Sequence, residues 1–99
     1  MNLYLETSNM LFYTDLQRSA PEGITVKLKP FIQDRSLGSE ELIITIIISI
    51  TSGIASSIIG NWIYDKIKNK GDTIIINQNK TIIEQNMIIA LIKNEMEKD

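Results

Sequence analysis

The uncharged stretch over residues 42–64 dominates this sequence and reads LIITIIISITSGIASSIIGNWIY. As an α-helix it would be about 34 Å long, which is enough to cross a bilayer core of roughly 30 Å. A helix on the surface of a globular domain has a polar face covering about half its circumference, and this stretch has none. We therefore expect it to be hidden from water, either by protein or by lipid.

Charged residues on both sides of the stretch have the polarity of helix ends. An N-cap candidate and two acidic residues precede it: Ser39, Glu40 and Glu41. Three lysines and a helix-ending glycine follow it: Lys66, Lys68, Lys70 and Gly71. These residues complement the helix dipole and predict one long apolar helix over about 40–70. The β-branched run over 43–48 leaves a second interpretation open, a buried strand over 43–50 followed by a shorter helix.

Small residues recur along the predicted helix at spacings of three, four and seven, which would place them on one face. They are Thr45, Ser49, Ser52, Gly53, Ser56, Ser57 and Gly60. Because small residues let another backbone approach closely, we predict that this face is an interaction surface. Trp62, Tyr64 and Lys66 follow it, a combination typical of a membrane interface or of a partner contact.

The rest of the chain predicts a small sheet with further helices. Alternating apolar residues indicate strands over 2–6 and 24–29, with a helix between them that ends near residue 18. A loop over 30–38 leads to the long helix, and a hairpin over 72–83 follows it. An amphipathic helix over 84–98 closes the chain. The sequence thus predicts a single α+β domain over 1–99 with the order β-α-β-α-β-β-α.

Composition excludes several kinds of chemistry. The sequence has no Cys and no His, which removes thiolate sites, the commonest metal ligand and the usual neutral-pH general base. The net charge of -2 offers no field for attracting nucleic acid. No phosphate-binding glycine loop is present, and no serine has a base at a suitable spacing. We therefore expect no enzyme activity, no catalytic, cofactor or metal site, no nucleic-acid partner and no small-molecule substrate.

The beginning of the chain bears on its location. Residues 1–6 read MNLYLE and show no basic segment followed by an apolar run, as a signal peptide would. We expect a cytoplasmic protein, with inner-membrane association as the alternative if the apolar stretch inserts into lipid.

Several segments together resemble a known family. They are LGSEEL at 37–42, SGIASS at 52–57 and WIY at 62–64, followed by the hairpin and the closing helix. This pattern resembles the effector-associated constant component family of small bacterial conflict-system proteins. The resemblance implies an accessory component that works beside a separate effector or protease-like protein in antiviral defence. It supplies no catalytic residues.

Two functions therefore compete at the level of sequence. The first is a non-enzymatic adaptor that packs against a protein partner, or against copies of itself, through the small-residue face. The second is a membrane-inserting effector whose 42–64 helix spans or permeabilises the bilayer. Both depend on the long helix. A third interpretation, a toxin-neutralising or phage-encoded inhibitor, has the same composition as the first and is not distinguished from it by sequence.

Overall fold

A computed structural model describes residues 1–29 and 43–98, which form a five-stranded antiparallel sheet and three helices. The strands are β1 (Asn2–Thr7), β2 (Ile24–Leu28), β3 (Ile44–Ile50), β4 (Thr73–Ile76) and β5 (Asn79–Ile82). The helices are α1 (Met10–Ser19), α2 (Ser56–Ile67) and α3 (Gln85–Glu97). The α+β class and the succession of predicted elements are confirmed, with β3 as an additional strand. The predicted loop over 30–38 and the helix start at Ser39, Glu40 and Glu41 lie outside the described residues.

The prediction of one helix over 40–70 is wrong. Residues 44–50 form β3, which pairs with β1 on one side and β2 on the other, and within the described residues 43–70 only Ser56–Ile67 are helical. The physical reason is the Ile-rich composition of β3, since β-branched side chains lose rotamer freedom in a helix but pack well on a pleated sheet. The second interpretation, a buried strand followed by a shorter helix, is confirmed. The membrane interpretation thereby loses the single long helix on which it rests.

A tight turn separates β3 from α2. Gly53 has a φ of 94°, a left-handed conformation that is strained for residues with a Cβ atom. At the other end, α2 stops at Ile67, where the Lys68 N–H donates to the Tyr64 carbonyl at 2.9 Å. The helix therefore ends before Gly71, which was the predicted cap. In the part of the chain that the structure describes, no helix has the length and hydrophobicity needed to cross a membrane.

The sheet has the strand order β2-β3-β1-β4-β5. Because all neighbours are antiparallel, β1 and β2 run in the same direction with β3 between them, and β3 and β4 do so with β1 between them. These are two interlocked split β-α-β units, to which β5 and α3 are added. The arrangement makes β1 the middle strand of the sheet.

The hydrophobic core lies between one face of the sheet and the three helices. The sheet contributes Leu3, Leu5, Ile24, Val26, Ile44, Ile46, Ile48, Ile50, Ile74 and Ile76. The helices contribute Phe12, Leu16, Ile59, Trp62, Ile63, Ile67, Ile88 and Ile92. Within residues 1–29 and 43–98 no polar or charged side chain is buried. All three helices cover the same face, so the described elements leave the opposite face of the sheet uncovered.

Candidate functional site

The small residues that sequence analysis assigned to one helix face lie on three different elements. Thr45 and Ser49 are on β3, half-buried on the face of the sheet that the helices do not cover. Ser52 and Gly53 are exposed in the turn after β3. The remaining members of the set are on α2: Ser56, Ser57 and Gly60. The structure therefore does not assemble them into one surface, because the helix that would align them does not exist.

Gly60 is the member of that set with a clear packing role. An ideal Cβ atom at Gly60 would lie 2.5 Å from Cγ1 of Ile89 and 3.0 Å from its Cα atom. The glycine is thus the point at which α2 and α3 cross closely. It brings two helices of the same chain together, as small residues do at helix crossings.

The aromatic and basic residues around the end of the apolar stretch also belong to the helical layer. Trp62 is only 9% exposed, and its Nε1–H donates to the Ser19 hydroxyl of α1 at 2.9 Å. Tyr64 is half-buried against the core. Lys66 forms a 3.3 Å ion pair with Asp65, whose pKa is lowered by hydrogen bonds from Lys66 and Lys68. Trp62 therefore ties α1 and α2 together, while contact of Trp62, Tyr64 and Lys66 with a membrane interface or a partner stays a prediction.

The face of the sheet that the described helices leave uncovered is the candidate site that the structure brings together, and we name it the open face. Its side chains alternate along the strands with those of the core. It contains Asn2, Tyr4, Glu6, Thr25, Lys27, Thr45, Ile47, Ser49, Thr73, Ile75, Lys80 and Ile82, together with Lys29 just beyond β2. Solvated faces of antiparallel sheets are usually polar, whereas this one has an apolar middle.

That apolar middle follows from the register of three adjacent strands. Tyr4 of β1 lies opposite Ile47 of β3, while its neighbour on the same face, Glu6, lies opposite Ile75 of β4. Tyr4 is 42% exposed, and Ile82 near the edge is 55% exposed. Tyr4 thus has Ile47 opposite it and Ile75 on the diagonal, and an exposed tyrosine beside aliphatic side chains is typical of a protein-contact surface, where tyrosine is enriched.

Two shallow depressions lie at opposite ends of the open face. One has a volume of about 680 Å³ and is lined by Tyr4, Glu6, Lys29, Thr45, Asn77 and Gln78. The other, of about 270 Å³, is lined by Met1, Asn2, Gly23, Ile24, Thr25, Ser49, Ile50 and Thr51. The open face is therefore uneven, with recesses on either side of the contact between Tyr4 and Ile47.

A hydrogen-bond network holds the Tyr4 backbone in place. The Tyr4 N–H donates to Asn77 Oδ1 at 2.7 Å, and the Asn77 N–H donates to the Tyr4 carbonyl at 2.8 Å. Asn77 Nδ2–H in turn donates to Glu95 Oε1 of α3 at 2.9 Å. This hydrogen bond, followed by that from Lys98, lowers the pKa of Glu95. The turn of the hairpin is thus fastened to the middle strand and to α3 at once.

The sequence pattern predicts part of the open face but not its centre. The alternation in β1 and β2 correctly placed Tyr4 and Lys27 on the side away from the core. Ile47 was missed because residues 43–50 were assigned to the long helix. The available signal was the alternation in β3, where Thr45, Ile47 and Ser49 occupy every second position between buried isoleucines.

Comparison with known proteins adds no relative: no family model matches the chain, and neither the curated proteins nor the solved structures contain a match.

Proposed function

We propose that this chain is a non-catalytic protein-binding module whose contact surface is the open face. The observation that supports the proposal is the group of apolar side chains in the middle of the open face, which the described helices leave uncovered: Tyr4, Ile47 and Ile75. Contact with water does not stabilise these side chains. A protein that buries them gains about 25 cal/mol of binding free energy per Å² of apolar area removed from water. The rigid Tyr4 ring supplies contact area at low entropic cost.

The rigidity of the surface also favours binding. β1 is the middle strand of the sheet, and both hydrogen bonds between Tyr4 and Asn77 hold its backbone. A partner therefore meets a preformed surface and does not have to order it, which reduces the entropic cost of association. Thr45 and Ser49, two of the residues predicted to form an interaction face, belong to this surface.

The family resemblance supplies the setting of the proposal. It implies that the protein acts as an accessory component in bacterial antiviral defence, beside a separate effector or protease-like protein. In that setting the open face is where the effector docks, and the chain itself contributes no catalysis.

The test is affinity capture from a bacterial lysate, followed by reconstitution with the purified captured protein. The binding variant is Tyr4→Thr with Ile47→Thr, which keeps β-favouring residues in both strands. The matched control is Ile58→Thr, because Ile58 is 53% exposed on α2, in the layer on the other side of the core. We expect the binding variant to weaken the reconstituted complex at least about tenfold, equivalent to about 1.4 kcal/mol, while the control binds like the wild type.

Three outcomes would count against the proposal. Equal affinity of the binding variant and the wild type would reject the open face as the contact surface. Equal losses in both variants would show that the effect is not specific to this face. If a partner binds through Tyr4 and Ile47 but has no role in defence, the proposed role in antiviral defence is rejected and the proposed binding surface is retained.

A further inference from the structure

Lysines lie at both edges of the open face, and the Glu6 carboxylate lies on the middle strand between them. Lys27 and Lys29 lie at the β2 edge, and Lys80 lies on β5 at the other edge. Lys29 and Lys80 lie at the two ends of one row of paired residues that crosses the sheet. Between them the row contains one residue from each intervening strand: Thr45, Glu6 and Ile75. Four interstrand steps of about 4.8 Å separate the two edges by roughly 19 Å.

These edge lysines are not used by the ion pairs within the described ranges. The ion pairs there involve Lys66, Lys68, Lys70 and Lys98, which lie on or beside α2 and α3. Lys27 and Lys80 are exposed, as is Lys29. The open face thus presents positive charge on both sides of a middle that contains Tyr4, Ile47 and Ile75 together with the Glu6 carboxylate.

The separation of the two lysine edges fits the width of an α-helix. An α-helix with its side chains is about 10–12 Å across. A helix lying along the strands over Tyr4 would cover Ile47 and Ile75, and side chains on its two flanks would extend towards the two lysine edges. Acidic side chains on those flanks would then pair with Lys27 and Lys29 on one side and with Lys80 on the other.

Other occupants fit the charges less well. Two copies of the chain meeting face to face would place lysine edges against lysine edges, which is repulsive. Single-stranded nucleic acid prefers a platform of several aromatic rings, and the middle of this face has one aromatic ring with the Glu6 carboxylate beside it.

We infer that the open face receives an amphipathic helix of another protein, with acidic residues along both flanks of its apolar stripe. This inference rests on the proposed function and specifies its partner. Glu6 lies under the middle of the docked helix, so the apolar stripe includes one hydrogen-bond donor opposite it.

The experiment selects ligands without assuming a known partner. A display library of random peptides about 18 residues long, roughly 27 Å as a helix, is selected on the full wild-type chain. Enriched peptides are synthesised, and their affinities are measured by fluorescence anisotropy at about 50 mM and about 300 mM NaCl. The variants are Lys27→Glu with Lys29→Glu, Lys80→Glu alone, and Tyr4→Thr with Ile47→Thr. Lys93→Glu on the exposed side of α3 is the charge-reversal control.

We expect enriched peptides that are acidic and amphipathic and that become helical when bound, as circular dichroism would show. Reversal of the lysines at either edge should weaken binding about tenfold at the lower salt concentration and less at the higher one. The control at Lys93 should leave the affinity unchanged.

The contrary outcomes separate the inference from the proposed function. Peptides that need Tyr4 and Ile47 but show no acidic bias, or that ignore the lysine reversals, overturn the inference alone. Peptides that bind regardless of Tyr4 and Ile47, or the absence of any enriched peptide, overturn both. A single-stranded oligouridine probe is tested in parallel. If it binds the wild type but not the Tyr4→Thr, Ile47→Thr variant, the occupant of the open face is nucleic acid and not a helix.

Discussion

At the scale of single residues, Gly60 has the most sharply defined requirement. It is buried where α2 crosses α3, and a Cβ atom there would meet both the Cγ1 side-chain atom and the Cα backbone atom of Ile89. Overpacking of this kind typically costs about 1–3 kcal/mol, which exceeds the helix-propensity gain of up to about 1 kcal/mol from replacing glycine. We predict that Gly60→Ala lowers the free energy of unfolding by about 1–2 kcal/mol, measured by chemical denaturation.

Two further variants show whether contact with Ile89 is the cause. Ser57→Ala, at an exposed position of the same helix, should change stability by less than about 0.5 kcal/mol. Combining Gly60→Ala with Ile89→Ala removes the nearest side-chain atom, so the combined loss should be smaller than the sum of the two single losses. A Gly60→Ala protein as stable as the wild type would show that the helices separate at no cost.

At the scale of elements, the hairpin of β4 and β5 has a turn with an unfavourable backbone conformation. Its two-residue turn has left-handed backbone at both positions, with φ of 49° at Asn77 and 71° at Gln78. Turns of this kind favour glycine at the second position, since the left-handed conformation costs other residues about 1–2 kcal/mol. We predict that Gln78→Gly stabilises the protein by about 0.5–1 kcal/mol, measured as a shift of the denaturation midpoint.

Asn77→Gly provides the matched control in the same turn. It relieves the same backbone conformation, but it also removes the side chain that accepts from the Tyr4 N–H and donates to Glu95. The lost hydrogen bonds should outweigh the relief and lower stability by about 1 kcal/mol or more. If both glycine variants stabilise the protein, the side chain of Asn77 does not fasten the hairpin to β1 as the structure indicates.

For the long apolar stretch, the sequence pattern does not distinguish one long helix from a strand followed by a helix. Thr45 and Ser49 are four residues apart, a spacing that places side chains on one side of a helix and also on one face of a strand. The lysines after the stretch correctly indicate the C-terminal end of α2. They carry no information on whether residues 44–50 are helix or strand. The absence of charge in β3 arises because it lies inside the sheet with one face under the helices.

The elements with unambiguous periodicity were predicted with small errors in their ends. Leu3 and Leu5 alternate with polar residues, as do Ile24 and Val26, and all four are buried. What sequence could not supply is the pairing of strands that are distant along the chain. The open face exists because β1 lies between β3 and β4, and that neighbourhood depends on packing of the whole sheet under three helices.

At the scale of the whole molecule, we expect the stability of the predicted single domain to depend on α3. Its Ile88 and Ile92 are 0% exposed in the same core as the sheet residues. The helix also contributes Glu95, which holds Asn77 and through it the backbone of Tyr4. α3 therefore stabilises the core and the open face together, although it lies outside the two split β-α-β units.

The variant Ile88→Ala with Ile92→Ala tests this dependence. Each substitution should cost about 2–5 kcal/mol, which together matches the roughly 5–15 kcal/mol that stabilises a typical domain. We predict that the double variant loses cooperative unfolding and chemical-shift dispersion throughout the sheet at 25 °C, whereas Lys93→Ala with Asn94→Ala on the exposed side of α3 stays folded. Retention of native amide shifts in β1, β2 and β3 with only α3 disordered would contradict it. In that case the split β-α-β units would fold without α3, and the open face would not depend on the helix behind it.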